Sequence, residues 1–259
     1  YVNLGHIAFF GVGAYAFGIA YNAGLSLVPC LLMSAVVVAI FAGLISYPFF
    51  RLRGAYFSLA SFGLVKLMEY VTSNLGWLTG GSNGLKIVAV DRTYPVYFMT
   101  LALALVAIAA TWAINRSRLG LAMKAIREDE AVARDFGVPT YWVKTQALVI
   151  SSIFPALLGG IYMWYFNYIA PSEVFGLKIA LQPVAMALLG GTGLVLGPVV
   201  GTVFLYVMEE MIWAYFPYMQ SSLLGLVIIL VGLFMPGGIV RVAPIERFLR
   251  RVGLLEEDK

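Results

Sequence analysis

Side chains able to do acid–base or ligand chemistry are scarce in this sequence. It contains one histidine, His6, and one cysteine, Cys30, so the zinc sites built from several Cys or His ligands are excluded. The sequence has no G-x-x-x-x-G-K-[ST] loop, which indicates that the chain does not hydrolyse ATP itself. The segment 80–84 matches G-x-S-x-G, but that motif needs a strand–turn–helix setting and a histidine partner, so we interpret the match as chance. We therefore expect no catalytic residue, no metal and no cofactor.

Lys66 and Glu69 are candidate residues of a transport path. Three positions apart on a helix, they share one face. Charges within a membrane span are costly and usually face a bundle interior or water. An ion pair near the outer end of the span is an equally open interpretation, because long side chains reach the interface there. His6 is a third candidate, although a packing role is commoner for such a histidine.

Composition predicts a membrane protein. The residues are 61% hydrophobic and 12% charged, and the mean hydropathy is +0.91. Soluble domains carry about 25% charged residues, so lipid must replace water over much of this surface. A net charge of +4 is too small to indicate a nucleic-acid partner. The chain starts at Tyr1 in an apolar segment, so we expect no signal peptide and an incomplete N-terminus.

Apolar runs of about 20 residues, the length that crosses a bilayer, predict an all-α polytopic transmembrane helical bundle. We interpret 1–259 as a single transmembrane domain in the cytoplasmic (inner) membrane. Basic residues cluster at Arg51 and Arg53, in the loop 116–145 and in the tail 237–259, so these segments and both chain ends should be cytoplasmic. The eight candidate spans are 3–21, 27–50, 54–73, 94–115, 146–168, 177–194, 198–216 and 221–236.

The loop 116–145 is predicted to hold one helix, 119–136, ending at a Gly137-Val138-Pro139 break. Its helix could dock on a partner protein or on the membrane surface, or it could be a solvated linker; spacing leaves these alternatives open. The candidate docking residues are Arg127, Glu128, Asp129, Glu130, Arg134 and Gly137.

A glycine-rich break separates the sixth and seventh candidate spans. Such a break could line a cavity at membrane depth, but its place at a span junction favours a tight cytoplasmic turn. Whether 177–216 forms two full spans or shorter half-helices stays open. The residues of the break are Gly190, Gly191, Gly193, Gly197 and Pro198.

Motifs along nearly the whole chain resemble, in order, those of branched-chain amino acid ABC transporter permeases, and of the LivM-type subunit in particular. The charge order of Lys66 and Glu69 departs from the family's, and the spacing from Glu130 to Gly137 departs from the E-A-A-x-x-x-G pattern of many importers. The matching segments are Leu4–Tyr15, Leu52–Phe57, Leu78–Leu85, Ser117–Gly120, Ala125–Glu130, Phe136–Val138, Leu188–Gly193, Leu196–Pro198 and Phe234–Gly238.

This resemblance implies the type II ABC importer fold and a role in importing branched-chain or related amino acids. The implied partners are a second, LivH-like permease, two cytoplasmic ATPases that bind the ATP, and an external substrate-binding protein. The helix 119–136 would then be the element that couples the permease to the ATPases. The alternative is a stand-alone secondary carrier or channel for small polar solutes, which should show charged relays inside its spans.

Overall fold

The apolar runs form long helices in the computed structural model of the chain, which describes residues 3–52, 54–88, 93–191, 195–215, 219 and 225–226. The elements are α1 (His6–Asn22), α2 (Leu27–Phe49), α3 (Ala55–Asn74), α4 (Gly76–Thr79), a 3-10 turn (Gly81–Asn83), β1 (Leu85–Lys86), α5 (Thr93–Asn115), α6 (Arg118–Glu128), α7 (Glu130–Asp135), α8 (Thr140–Phe166), β2 (Tyr168–Ile169), α9 (Pro171–Val174), α10 (Leu177–Gly190) and α11 (Gly197–Tyr215).

Four of the described segments are long and apolar enough to cross a membrane: α2, α5, α8 and Pro171–Gly190. The protein is therefore an all-α, multi-pass membrane protein, while the number of eight spans stays a prediction. The helix α1 has 17 residues, or about 26 Å, and α3 is long enough but less apolar. The candidate span 221–236 lies outside the described residues except for Gly225 and Leu226, and the tail 237–259 lies outside them entirely.

The described chain falls into two compact units, Tyr1–Ala180 and Leu181–Lys259. In the first unit α1 is the central helix, and it packs against α2 and α8. Glycines let the backbones meet, since a Cβ on Gly13 would lie 2.5 Å from the Ala156 oxygen and one on Gly159 would lie 2.1 Å from the Phe10 oxygen. Small residues are the usual means of such close packing between membrane helices.

The helices α1 and α8 run parallel to each other, and α2 runs antiparallel to both. His6 near the start of α1 contacts Ser151 on α8, and Gly18 further along α1 contacts Met163 further along α8. Residue numbers rise along α1 as they fall along α2, because Phe9 contacts Phe41 while the Gly13 oxygen, further along α1, accepts from Ser34. This alternation is the one that successive membrane crossings require.

One end of the first unit, here called the strand end, is closed by the pairing of β1 with β2. The Asn22 amide, at the end of α1, donates to the Lys86 oxygen at 2.9 Å. Gly84 sits at φ +74°, and a Cβ there would lie 2.3 Å from the Ile169 oxygen. The G-x-S-x-G match at 80–84 is therefore a glycine-dependent turn, and its Ser82 side chain is exposed.

The opposite end, here called the basic end, comprises the end of α2, the start of α8, and α6 with α7. Tyr141 at the start of α8 contacts Ser46 and Phe50 near the end of α2. The helix α8 joins the two ends, and its 27 residues span about 40 Å. That length exceeds the hydrocarbon thickness of about 30 Å. Basic residues at this end are Arg51, Arg116, Arg118, Lys124, Arg127, Arg134 and Lys144.

In the second unit, the end of α10 and the start of α11 cross at glycines. A Cβ on Gly190 would lie 1.7 Å from the Gly197 oxygen, and one on Gly201 would lie 1.9 Å from the Met186 oxygen. Gly191 has φ +112° and lies directly after α10, while Pro198 is the second residue of α11. Gly193 lies outside the described residues. At 14 residues α10 spans about 21 Å, less than a full crossing, and α11 spans about 29 Å.

Candidate coupling surface and transport-path residues

The turn from α5 into α6 depends on two residues. The Ser117 hydroxyl accepts from the Gly120 N–H at 3.3 Å and so caps α6. A Cβ on Gly120 would lie 2.2 Å from the Ile114 oxygen, so only glycine lets α6 fold back against the end of α5. The segment 117–120 therefore fixes where α6 leaves the bundle.

The prediction of one helix over 119–136 is wrong, because the helix is interrupted at Asp129. This residue is extended, with φ −155° and ψ 118°. Its Oδ1 accepts from the N–H groups of Ala131 at 2.7 Å and Val132 at 3.0 Å, which makes it the N-cap of α7. Aspartate competes in this way for backbone donors that a continuous helix would use. The predicted coupling region thus comprises two helices, α6 and α7.

The end of α7 is set by Gly137, at φ +85°. The Gly137 N–H donates to the Arg134 oxygen and the Val138 N–H donates to the Ala133 oxygen at 3.0 Å. This pair of bonds is the Schellman motif that commonly ends helices at a glycine. It turns the chain so that the side chain of Phe136 is 85% exposed. An aromatic side chain therefore stands at the tip of α7.

Glu130 points toward the bundle and not toward solvent. Its Oε1 accepts from Lys144 Nζ at 2.6 Å, and the Lys144 side chain is only 10% exposed. Lys144 lies in the second turn of α8, which packs against α1 and α2. The ion pair therefore ties α7 to the central helices.

The six predicted coupling residues thus have three different positions. Arg127, Glu128 and Arg134 are exposed, Asp129 and Gly137 begin and end α7, and Glu130 binds α8. Phe136 and Lys144 were missed as individual residues by the sequence analysis. The available signals were an aromatic residue directly before the helix-ending glycine and a lysine at the start of an apolar run.

His6 is held by packing and weak hydrogen bonds. Its Nε2 lies 3.3 Å from the Ser151 Oγ and its Nδ1 lies 3.4 Å from the Asn3 oxygen. Its ring meets Phe9 edge to face at 5.9 Å between centroids. These contacts join α1 to α8 and involve neither Lys66 nor Glu69.

Lys66 and Glu69 form an ion pair on the surface of α3. Lys66 Nζ lies 2.7 Å from Glu69 Oε2, and the side chains are 49% and 25% exposed. Their neighbours Leu67 and Tyr70 are also exposed. Because charges facing lipid are costly within a span, this face of α3 is suited to protein or water and not to lipid. Within the described ranges, no three His, Cys, Asp or Glu side chains gather as a metal site.

Comparison with known proteins identifies the family. A family model described as branched-chain amino acid transport system / permease component matches residues 1–232. The high-affinity branched-chain amino acid transport system permease proteins LivM of Salmonella typhimurium and Escherichia coli are 26% and 25% identical over 269 residues. Each alignment covers 92% of this chain and 63% of the relative, so the chain spans less than two thirds of those proteins.

A further relative is named for a different import system. The autoinducer 2 import system permease protein LsrC of Yersinia pseudotuberculosis is 26% identical over 213 residues, covering 79% of this chain and 59% of that protein. No solved structure matches the chain. The match to the family model over nearly the whole chain shows that it belongs to the family of permease components of branched-chain amino acid transport systems.

Proposed function

We propose that this chain is a membrane-spanning permease subunit of an ATP-driven ABC importer for branched-chain or related amino acids. The observation that carries the proposal is the capped pair α6–α7 at the basic end, with Phe136 exposed at its tip. A subunit that lacks a phosphate-binding loop needs a surface through which a separate ATPase can move it. The names of the LivM relatives support the same assignment.

Phe136 is the proposed anchor of the ATPase contact. A large exposed aromatic ring that becomes buried in a partner's pocket is the usual form of an interface hot spot. Arg127 and Glu128 would form a charged rim beside it that steers and orients the partner. The partner groove is therefore expected to combine an apolar pocket with charges of both signs.

The ion pair between Glu130 and Lys144 is the proposed connection from that contact to the transport path. A displacement of α7 by the ATPase would pull on α8 through this pair, and α8 packs against α1 and α2. Rigid-body movement of packed helices is one way in which such proteins switch between two arrangements. The switch proposed here alternates access between the two sides of the membrane.

The proposed topology has the basic end in the cytoplasm, because loops rich in Lys and Arg stay on that side. On this basis 1–259 forms one permease domain with eight spans, 116–145 is the cytoplasmic coupling loop, and 237–259 is a cytoplasmic tail. Both ends of this chain are then cytoplasmic. The strand end, with Ser82 and Lys86, faces the external binding protein.

The transport path is proposed to lie along the exposed face of α3, between this chain and a second, LivH-like permease arranged as in type II importers. Lys66 and Glu69 on this face could bind the carboxylate and the ammonium group of an amino acid. His6 is assigned to packing at the start of α1, and the break at 190–198 is assigned to a tight cytoplasmic turn. We expect the external binding protein to set most of the selectivity.

Co-purification from native membrane in mild detergent tests the proposal. We expect the tagged chain to retain an ATPase and a second permease, both identified by mass. A chain recovered alone under several mild conditions would instead favour a stand-alone carrier. Uptake of labelled leucine by the intact assembly, compared with autoinducer 2 as a competitor, then tests the substrate class, since one relative is named for that import system.

A further inference from the structure

A cavity of about 290 Å³ lies at the basic end, among the end of α2, the helix α7 and the start of α8. Three cationic side chains line it, Arg51, Arg134 and Lys144, together with one acidic side chain, Glu130. Because Glu130 is already bound by Lys144 at 2.6 Å, the two arginines leave the cavity with an excess of positive charge. The cavity therefore suits an anion.

Its hydrogen-bonding groups are not all used within the protein. Thr140 lines the cavity and is only 8% exposed. The Arg134 side chain has no ion pair or hydrogen bond to any residue in the described ranges. Thr140 is also the first residue of the 27-residue helix α8, whose N-terminal N–H groups have no side-chain cap. A helix N-terminus beside guanidinium groups is the recurrent chemistry of phosphate sites.

The position of the cavity indicates the source of the phosphate. Tyr47 and Trp142, next to its wall, are exposed aromatic side chains of the kind found at the level of lipid headgroups. Arg51 stacks on the Tyr47 ring and donates to its hydroxyl, which places the guanidinium group at the same level. From Tyr47 an exposed apolar stripe runs along α2 at helical spacing, through Leu44, Ile40, Val36, Leu32 and Val28.

We propose that this cavity binds the phosphate of an anionic phospholipid, with the acyl chains lying along the exposed stripe of α2. Basic pockets between helices at the membrane surface recognise lipid headgroups in this way. A bound headgroup would bridge Arg51 at the end of α2 and Arg134 on α7. Lipid would thereby hold α7 against the bundle independently of any ATPase, so the inference does not depend on the transported solute.

The test counts lipids retained by the purified full chain in native mass spectrometry, with phosphatidylglycerol and phosphatidylcholine as probes. The cavity variant is Arg51→Gln with Arg134→Gln, and the control is Arg118→Gln with Lys124→Gln, which removes the same charge from exposed positions on α6. Each cation should contribute about fivefold to the binding of an anionic lipid. We expect the cavity variant to bind phosphatidylglycerol about 25-fold more weakly and the control to be unchanged.

Three results would overturn the proposal. These are equal binding of phosphatidylglycerol by the cavity variant and the wild type, equal loss in the cavity variant and the control, or displacement of the lipid by inorganic phosphate at the same concentration. The third result would assign the site to free phosphate. Thr140→Val is a second, uncharged variant that should weaken the same lipid several-fold, and equal thermal stability of all variants excludes misfolding as the cause.

Discussion

At the scale of single residues, Phe136 combines a highly exposed side chain with a backbone position fixed by hydrogen bonds. Its backbone is held by the Schellman motif at Gly137, while its ring contributes little to the fold because it is exposed. Replacing Phe136 should therefore weaken the binding of a partner and leave the fold of the chain unchanged. This separation makes the residue the sharpest probe of the proposed ATPase contact.

Phe136→Ala should weaken ATPase binding by about 2 kcal/mol, or about 30-fold, if the ring enters a partner pocket. The measurement is the amount of ATPase that co-purifies with the tagged chain, together with leucine uptake. Trp77→Ala is the matched control, since it removes an equally exposed aromatic side chain near the strand end. Equal ATPase retention by wild type and Phe136→Ala would contradict the docking role of α7.

The Lys66–Glu69 pair provides a second prediction at this scale. Glu69→Gln and Lys66→Met should each lower leucine uptake about tenfold. Each change removes a charge that, within the proposed path, would be shielded from water and positioned to bind one charged group of the amino acid. The exchange of both residues, Lys66→Glu with Glu69→Lys, restores an ion pair but reverses the charges offered to an amino acid. We expect this double variant to stay impaired.

Full recovery of uptake in the exchanged pair would mean that only the ion pair matters and that neither residue binds substrate. Normal uptake in both single variants would show that neither Lys66 nor Glu69 belongs to the transport path. Lys124→Met, a change of an exposed lysine on α6 that is not assigned to a partner contact, controls for the general loss of a cation.

Sequence reasoning predicted a helical segment at 119–136 but not the contacts of its residues, and the reason is geometric. Asp129 and Glu130 are adjacent and equally charged, yet one caps α7 and the other binds Lys144 on α8. Glu130 and Lys144 are 14 positions apart, so no helical periodicity joins them. They meet only because Gly137 ends α7 and sends the chain back into the bundle.

At the scale of elements, α7 has six residues and depends on its two ends for stability. So short a helix has little intrinsic stability in water. Asp129 supplies acceptors for two free N–H groups, and removal of such a cap costs about 1 kcal/mol. The interruption that the sequence analysis missed is therefore the feature that sets where α7 begins.

Asp129→Ala should increase hydrogen exchange at the Ala131 and Val132 amides about fivefold and lower ATPase retention in parallel, because α7 frays without its cap. Asp129→Asn preserves a capping side chain and should behave as wild type. Asp135→Ala removes an exposed acid from the same helix and serves as the charge control. If Asp129→Asn is as impaired as Asp129→Ala, the carboxylate charge matters and the cap does not.

Hydropathy predicted the long helices well because membrane helices are defined by apolar length, as for the candidate span 94–115 and α5 (Thr93–Asn115). It placed the start of the next span at 146, whereas α8 begins at Thr140. The difference arises because Lys144 is paired with Glu130 and so continues the helix beyond its apolar part. Burial and pairing, which the sequence does not display, decide such boundaries.

At the scale of the whole molecule, the strand end and the basic end of the first unit are joined by α8. The helix extends about 40 Å, which leaves each end outside a hydrocarbon core of about 30 Å. The clustering of Lys and Arg at one end then predicts which end is cytoplasmic.

Cysteine labelling in intact cells tests the orientation of the two ends. In a Cys30→Ala background, Ser82→Cys should react with a membrane-impermeant thiol reagent, and Glu128→Cys should react only after the membrane is opened. Both side chains are exposed, so burial does not explain a difference between them. The opposite pattern would invert the proposed topology and move α6–α7 away from any cytoplasmic ATPase. Labelling of both positions from outside would contradict a membrane crossing by α8, because that helix separates the two ends.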